Sequence, residues 1–83
     1  MRAVEASDEI VCRFCNLYGG LENAMPFIAY QFKKAGADFR NPTKEDLRQV
    51  VHGLLQLLSG SNPPHIVERE RKRMLRWLNN IDT

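Results

Sequence analysis

Two cysteines, Cys12 and Cys15, form a Cys-x-x-Cys, a spacing that both zinc sites and redox pairs use. A zinc site needs a second pair of ligands, and the remaining candidates are His52 and His65, each isolated and separated from the other by a loop. A thioredoxin-like pair follows a strand, and no strand pattern precedes Cys12. At 100° per residue, Cys15 lies at the edge of an apolar helix face while Cys12 points away from it. We therefore expect Cys15 to be a packing residue, and we expect no metal and no cofactor.

Other arrangements that could support catalysis are equally incomplete. The serines lie in predicted caps or loops, without a nucleophile motif around them. Carboxylates are paired at 8–9 and at 45–46, but both pairs lie at predicted helix starts, where they stabilise the helix dipole. Gly19-Gly20 lacks the preceding strand and the lysine of a phosphate-binding loop. The sequence therefore predicts that the chain is not an enzyme.

The C-terminal segment carries the one concentration of like charge at helical spacing. Four cations recur at i, i+3, i+4 and i+7 and align on one side of a helix: Arg69, Lys72, Arg73 and Arg76. Guanidinium and ammonium groups on one rigid face suit phosphates or clustered carboxylates. The alternative is an ordinary solvated face, in which Glu68 pairs with Lys72 and Glu70 pairs with Arg73.

Two further charges interrupt the apolar side of the same segment. Glu70 and Arg71 fall where the helical period requires apolar residues. Either the middle turns of this helix project beyond the fold, or these charges meet partners from another subunit. Ile66 and Trp77, beside the interruption, are either interface anchors or core residues at one end of the fold.

Four amphipathic segments, separated by breaks rich in Gly, Pro, Ser and Asn, must position these side chains. The first helix begins either near Arg2 or only after Ser7, and the fourth has Pro63 or Pro64 at its first position. Strand and hairpin signals are nearly absent. We predict an all-α fold, a small antiparallel four-helix bundle in which residues 1–83 form a single domain. The predicted helices are Ser7 to Tyr18, Ala24 to Ala35, Lys44 to Leu58 and Pro64 to Asn80.

Capping signals and the apolar stripes give the finer predictions. Asn23 is predicted to be the N-cap of the second helix, with Pro26 in its first turn. Thr43 and Asp46 resemble a capping box at the start of the third helix. The core is predicted to centre on the residues nearest the middle of each stripe: Phe14, Leu17, Phe27, Ile28, Leu47, Val51, Leu54 and Leu58.

Composition and charge exclude several classes of protein. With 43% hydrophobic and 27% charged residues, the chain has the balance of a folded domain and not of a disordered one. A net charge of +2 is too small for a bulk polycation, so any cationic function must be local. No apolar run is long enough to span a membrane, and the first residues lack the apolar core of a signal peptide. Two cysteines do not make a disulfide framework, so a reduced, cytoplasmic protein is expected.

These observations favour a non-enzymatic helical interaction or regulatory module. Because a chain of 83 residues buries a smaller share of its surface on folding than a larger domain does, we expect it to self-associate, as a homodimer. We also expect it to bind an acidic or apolar protein partner through its C-terminal helix. The alternative is a nucleic-acid-binding protein that uses the same four cations. A helix-turn-helix is disfavoured because the connection from Gly36 to Pro42 is too long. Basic and aromatic residues do not interleave as base stacking requires.

Overall fold

Four α-helices make up most of the protein. The computed structural model describes residues 1–82, in which α1 spans Ala3–Leu17, α2 Leu21–Ala35, α3 Lys44–Ser59 and α4 Pro64–Asn79. None of these 82 residues forms a strand, which confirms the predicted all-α four-helix bundle. Within the same part of the chain, every helix is too short or too polar to cross a membrane.

Successive helices run antiparallel around one core. α1 and α3 each contact the other three helices, whereas α2 and α4 lie apart on opposite sides. The start of α1 meets the end of the described chain, where the Met1 ammonium lies 3.0 Å from Asp82 Oδ2. Farther along, Arg13 of α1 contacts Glu70 of α4. These two contacts fix the antiparallel register of α1 against α4.

The predicted range of the first helix, Ser7 to Tyr18, starts too late: α1 begins at Ala3, at the earlier of the two starts that the sequence left open. Arg2 is the N-cap, and its backbone N–H donates a 2.9 Å hydrogen bond to Glu5 Oε1. At α3 the capping box is confirmed, since Asp46 N–H donates to Thr43 Oγ1 at 3.1 Å. Pro64 is the first residue of α4, as expected for a proline whose missing N–H has no acceptor within the helix.

The predicted start of α2 is wrong. The helix begins at Leu21 after Gly19 and Gly20, whose positive φ values of 82° and 92° turn the chain within a few residues. Asn23 is therefore inside the first turn, where its Nδ2 donates to the Gly19 carbonyl at 2.8 Å. Pro26 lies in the second turn, with its ring exposed. Because proline has no N–H, the carbonyl four residues earlier receives no helical hydrogen bond from it.

The buried side chains come from all four helices, from Pro42 before α3 and from Ile81 after α4. Six of the eight predicted core residues are buried: Phe14, Ile28, Leu47, Val51, Leu54 and Leu58. Leu17 is only partly buried, and Phe27 is 41% exposed, so the prediction for Phe27 is wrong. Tyr18 explains this, because its ring stacks on Phe14 with centroids 4.9 Å apart and meets Phe27 edge-on at 5.1 Å. Phe27 thus packs over the edge of the core.

We predict that Leu54→Ala lowers the free energy of unfolding by about 2–5 kcal/mol, because Leu54 is fully buried and its truncation leaves a cavity. Urea denaturation followed by circular dichroism measures the change. Leu21→Ala is the matched control, since that leucine is 63% exposed. It should change stability by less than about 0.5 kcal/mol. Equal losses in the two variants would contradict the assigned core.

Candidate functional site

The four cations of α4 lie on the outer side of the bundle, but they are not equivalent. We call Arg69, Lys72, Arg73 and Arg76 the basic stripe. Three of them are exposed, whereas Arg73 is half-buried. Arg73 lines a small groove of about 190 Å³ between α1 and α4, together with Arg13 and Trp77. The basic stripe therefore adjoins α1 through Arg73.

Glu70 lies beneath the basic stripe and is fully buried. Arg13 binds it with two parallel hydrogen bonds from one edge of the guanidinium: Nε donates to Oε2 and Nη2 to Oε1, each at 2.8 Å. Arg69 Nε donates to the same Oε1 at 3.1 Å. Both explanations that the sequence offered for this charge are therefore wrong. The middle of α4 does not project beyond the bundle, and Glu70 finds its partner within its own chain.

These hydrogen bonds determine the ionisation of Glu70. The side-chain bond from Arg13 lowers the pKa of Glu70 below its ordinary value of 4.5 and outweighs the opposing effect of burial. The positive charges of Arg13 and Arg73 and the bond from Arg69 lower it further. The same bond to Glu70 raises the pKa of Arg13. The buried carboxylate is thus held ionised and surrounded by three arginines.

Arg71 lies on the surface and is not part of this cluster. Its Nε donates to Glu68 Oε2 at 2.9 Å, one turn earlier in α4. The intrahelical pairs expected for Lys72 and Arg73 do not form: among residues 1–82, neither cation has a carboxylate within 4.0 Å. Glu68 is bound by Arg71 and Glu70 by Arg13, which explains the difference.

The two apolar candidates are both partly buried. Ile66 lies in the first turn of α4. Trp77 packs against the core and also lines the groove between α1 and α4. Trp77 therefore has the core contact that one of the two predictions required, and its role as an interface anchor stays a prediction.

A second charged stripe, on α1, was not recognised in the sequence. Glu5, Asp8 and Glu9 are exposed at i, i+3 and i+4, and we call them the acidic stripe. The pair Asp8/Glu9 was expected at a helix start. Because α1 begins at Ala3, these two residues lie beyond its first turn, where the helix dipole no longer explains them. Within the described chain, neither has a cation within 4.0 Å.

The acidic and basic stripes lie on neighbouring helices and approach each other at Glu9, whereas Asp8, farther round α1, lines the groove between α1 and α2. Glu9 lines the same groove as Arg73 and Trp77. The register set by Arg13 and Glu70 places Glu9 level with Met74, the residue after Arg73. We call this surface the α1/α4 face: the acidic stripe on one helix, the basic stripe on the next, and the groove with Trp77 between them.

The cysteines and histidines form no comparable site. Cys12 is exposed, Cys15 is buried and both are free thiols, as predicted for their exposure. Burial raises the pKa of the Cys15 thiol, and the nearby Cys12 adds to this effect. His52 is exposed, with its Nε2 3.3 Å from the side-chain nitrogen of Gln56. Within residues 1–82, no three His, Cys, Asp or Glu side chains cluster closely enough to hold a metal ion.

Comparisons with known proteins add no assignment to this geometry. No protein-family model, curated protein or solved structure matches the chain. The charges of the α1/α4 face and its partly buried Trp77 are therefore the basis of the functional proposal.

We predict that Glu70→Gln lowers the free energy of unfolding by about 2–3 kcal/mol, because it leaves the half-buried Arg13 without a charged partner. Glu68→Gln is the matched control on the same helix, since its pair with Arg71 is exposed and is worth less than about 1 kcal/mol. Chemical denaturation of both variants measures the difference. If the two substitutions cost the same, the buried pair does not stabilise the bundle.

The lowered pKa of Glu70 also predicts a pH dependence. In the unfolded chain the carboxyl regains its ordinary pKa, so the pair stabilises the fold fully above pH 4.5 and loses its effect as the pH falls through the folded-state value. The difference in stability between the wild type and Glu70→Gln should therefore shrink on acidification. It should stay constant from about pH 6 to 8. A difference that grows below pH 4.5 would contradict an ionised Glu70.

Proposed function

We propose that this domain is a non-enzymatic protein-interaction module whose basic stripe on α4 binds an acidic helical surface of a partner protein. The observation that supports this proposal is that α1 carries an exposed acidic stripe and α4 an exposed basic one, and that Glu9 and Arg73 of these stripes line the same groove. Alternating charge on one face suits a protein partner with its own alternating charge. A cytoplasmic location, expected from the two free cysteines, belongs to the same proposal.

The free positive charge of the basic stripe is concentrated at Lys72 and Arg76. Both are exposed, and within the described residues neither has an ion-pair partner. Arg69 is held by Glu70, and Arg73 lies half-buried beside the same carboxylate. Two cations on a rigid helix, one turn apart, can bind carboxylates at the same spacing on another helix.

A nucleic acid fits this surface less well. A polyanionic backbone that crosses α4 would meet the acidic stripe of α1, where like charges repel it. The net charge of +2 gives no compensating long-range attraction. Nucleic-acid binding through the same four cations is therefore the alternative that the experiment must decide.

Trp77 gives the proposed surface an apolar anchor. Its ring is partly buried at the core and partly open to the groove between the two stripes. Tryptophan in a fixed orientation, surrounded by polar groups that exclude water, is the type of residue that carries much of the binding energy at protein interfaces.

The first experiment measures binding of a fluorescent, amphipathic acidic peptide, with Glu at i, i+3 and i+4, by anisotropy. We predict that Lys72→Glu/Arg76→Glu weakens binding at least about tenfold, because two attractive contacts become repulsive. Arg73 is left unchanged, since a carboxylate there would destabilise the buried Glu70. Lys33→Glu/Lys34→Glu, the same charge change on exposed residues of α2, is the control and should bind as the wild type does.

A labelled DNA duplex and a labelled single-stranded RNA are titrated in parallel. Nucleic-acid binding that is tighter than peptide binding, falls steeply with salt and is lost in the α4 variant would replace this proposal with the nucleic-acid alternative. A wild-type protein that is monomeric in the assay and binds none of the three probes would contradict both.

A further inference from the structure

We infer that the acidic partner of the basic stripe is α1 of a second copy of this chain, so that two copies pair through their α1/α4 faces. This inference rests on the proposed function and names its partner. Its basis is that one face carries both halves of a charge-complementary contact, the acidic stripe on α1 and the basic stripe on α4. A surface that repeats on both partners must complement itself, and this face does.

Two-fold symmetry pairs the stripes correctly. The two-fold axis runs parallel to the helices and lies between the two paired faces, above the groove between α1 and α4. Rotation about this axis places one face on the other and exchanges the positions of α1 and α4. It therefore puts α1 of each copy over α4 of its mate, and each acidic stripe lies on a basic one. The rotation keeps the direction of the helices, so each new helix pair is antiparallel, like α1 and α4 within the bundle.

The register of the bundle sets the height of these contacts. Because Arg13 lies level with Glu70 and Met1 with Asp82, Glu9 is level with Met74 and Asp8 with Leu75. Rotation about an axis along the helices does not change height. Asp8 and Glu9 of one copy thus meet the turn of α4 that carries Lys72 and Arg76 in the other copy.

In this arrangement of two copies, the groove between α1 and α4 lies at the centre of the contact. Trp77 and Cys12 line this groove, so both lie near the middle of the paired faces. The two tryptophans supply the apolar centre and the charged stripes surround it, as in protein interfaces generally. Exposed ion pairs are individually weak, so the dimer should weaken as salt screens them.

The other two grooves show no such matched pattern. The groove between α2 and α3 is lined mainly by polar and charged side chains of mixed type, among them Gln31, Gln49 and His52. The groove between α1 and α2 is more apolar, with Leu21, Met25 and Phe39, and it also includes Asp8 and Cys12 but no cation. Of these three grooves in residues 1–82, the one between α1 and α4 is therefore the one that brings a residue of the acidic stripe and a residue of the basic stripe together.

The test uses two oppositely charged variants in sedimentation velocity at low salt. Lys72→Glu/Arg76→Glu makes the face acidic on both helices, and Asp8→Lys/Glu9→Lys makes it basic on both. The wild type should dimerise, and each variant alone should raise the dissociation constant at least about tenfold, because like charges then face each other. An equimolar mixture of the two variants should form a heterodimer, because every stripe again meets its opposite.

Glu45→Lys/Arg48→Glu, a charge exchange on an exposed pair of α3, is the control and should dimerise like the wild type. Thermal melts confirm that each variant is folded. A second measurement needs no charge reversal: a bifunctional maleimide should join two wild-type copies through the exposed Cys12, and Cys12→Ser should abolish the product. A loss of cross-linking at high salt is also expected.

Three results would overturn the inference. They are a wild type that stays monomeric at the highest concentration, a dimer that both variants leave intact, and a mixture that does not associate although each variant is folded. The peptide titration separates this inference from the proposed function. A monomeric chain that still binds the acidic peptide overturns the second copy alone, whereas a monomer that does not bind the peptide overturns both.

Discussion

The ion pair between Arg13 and Glu70 is the constraint on which the orientation of α4 depends. A fully buried carboxylate without bonded cations would be very costly, so α4 must turn until Glu70 meets the guanidinium of α1. An apolar pair of similar size could also be buried here, but it would pack in several rotational orientations of α4. The two 2.8 Å hydrogen bonds form in one orientation of α4. That rotation places the basic stripe beside α1 and leaves Trp77 at the groove.

The fold was largely predictable from the sequence because apolar periodicity is a local signal. The leucine-rich stripe of α3 and its capping box need only the chain around them, and both are observed as predicted. Phe27 and Asn23 show where local reasoning fails. The exposure of Phe27 depends on Tyr18, at the C-terminal end of α1, because the ring of Tyr18 packs beside Phe27 against the core. Asn23 is a residue type that is common at N-caps, but the helix begins earlier, directly after Gly19 and Gly20, whose φ values are positive.

The candidate site was predictable only in part, for the same reason. The basic stripe lies on one helix, so its spacing reveals it. The partner of Glu70 lies 57 positions away, and no local pattern connects the two. The acidic stripe was visible as the spacing of Glu5, Asp8 and Glu9, but the uncertain start of α1 made a dipole explanation sufficient. If the start of α1 at Ala3 had been predicted, the sequence alone would have excluded the dipole explanation for Asp8 and Glu9.

The buried pair also shapes the charge that the surface presents. Glu70 binds Arg13 and Arg69 and lies beside Arg73, so its single negative charge compensates part of the positive charge near the middle of α4. The uncompensated cations, Lys72 and Arg76, remain on the outer side of the helix, at the level where α1 carries Asp8 and Glu9. Within residues 1–82 these opposite charges on neighbouring helices do not bind each other, and they are the charges that the proposed interaction uses. A buried interaction that orients α4 thereby determines which charges the surface presents.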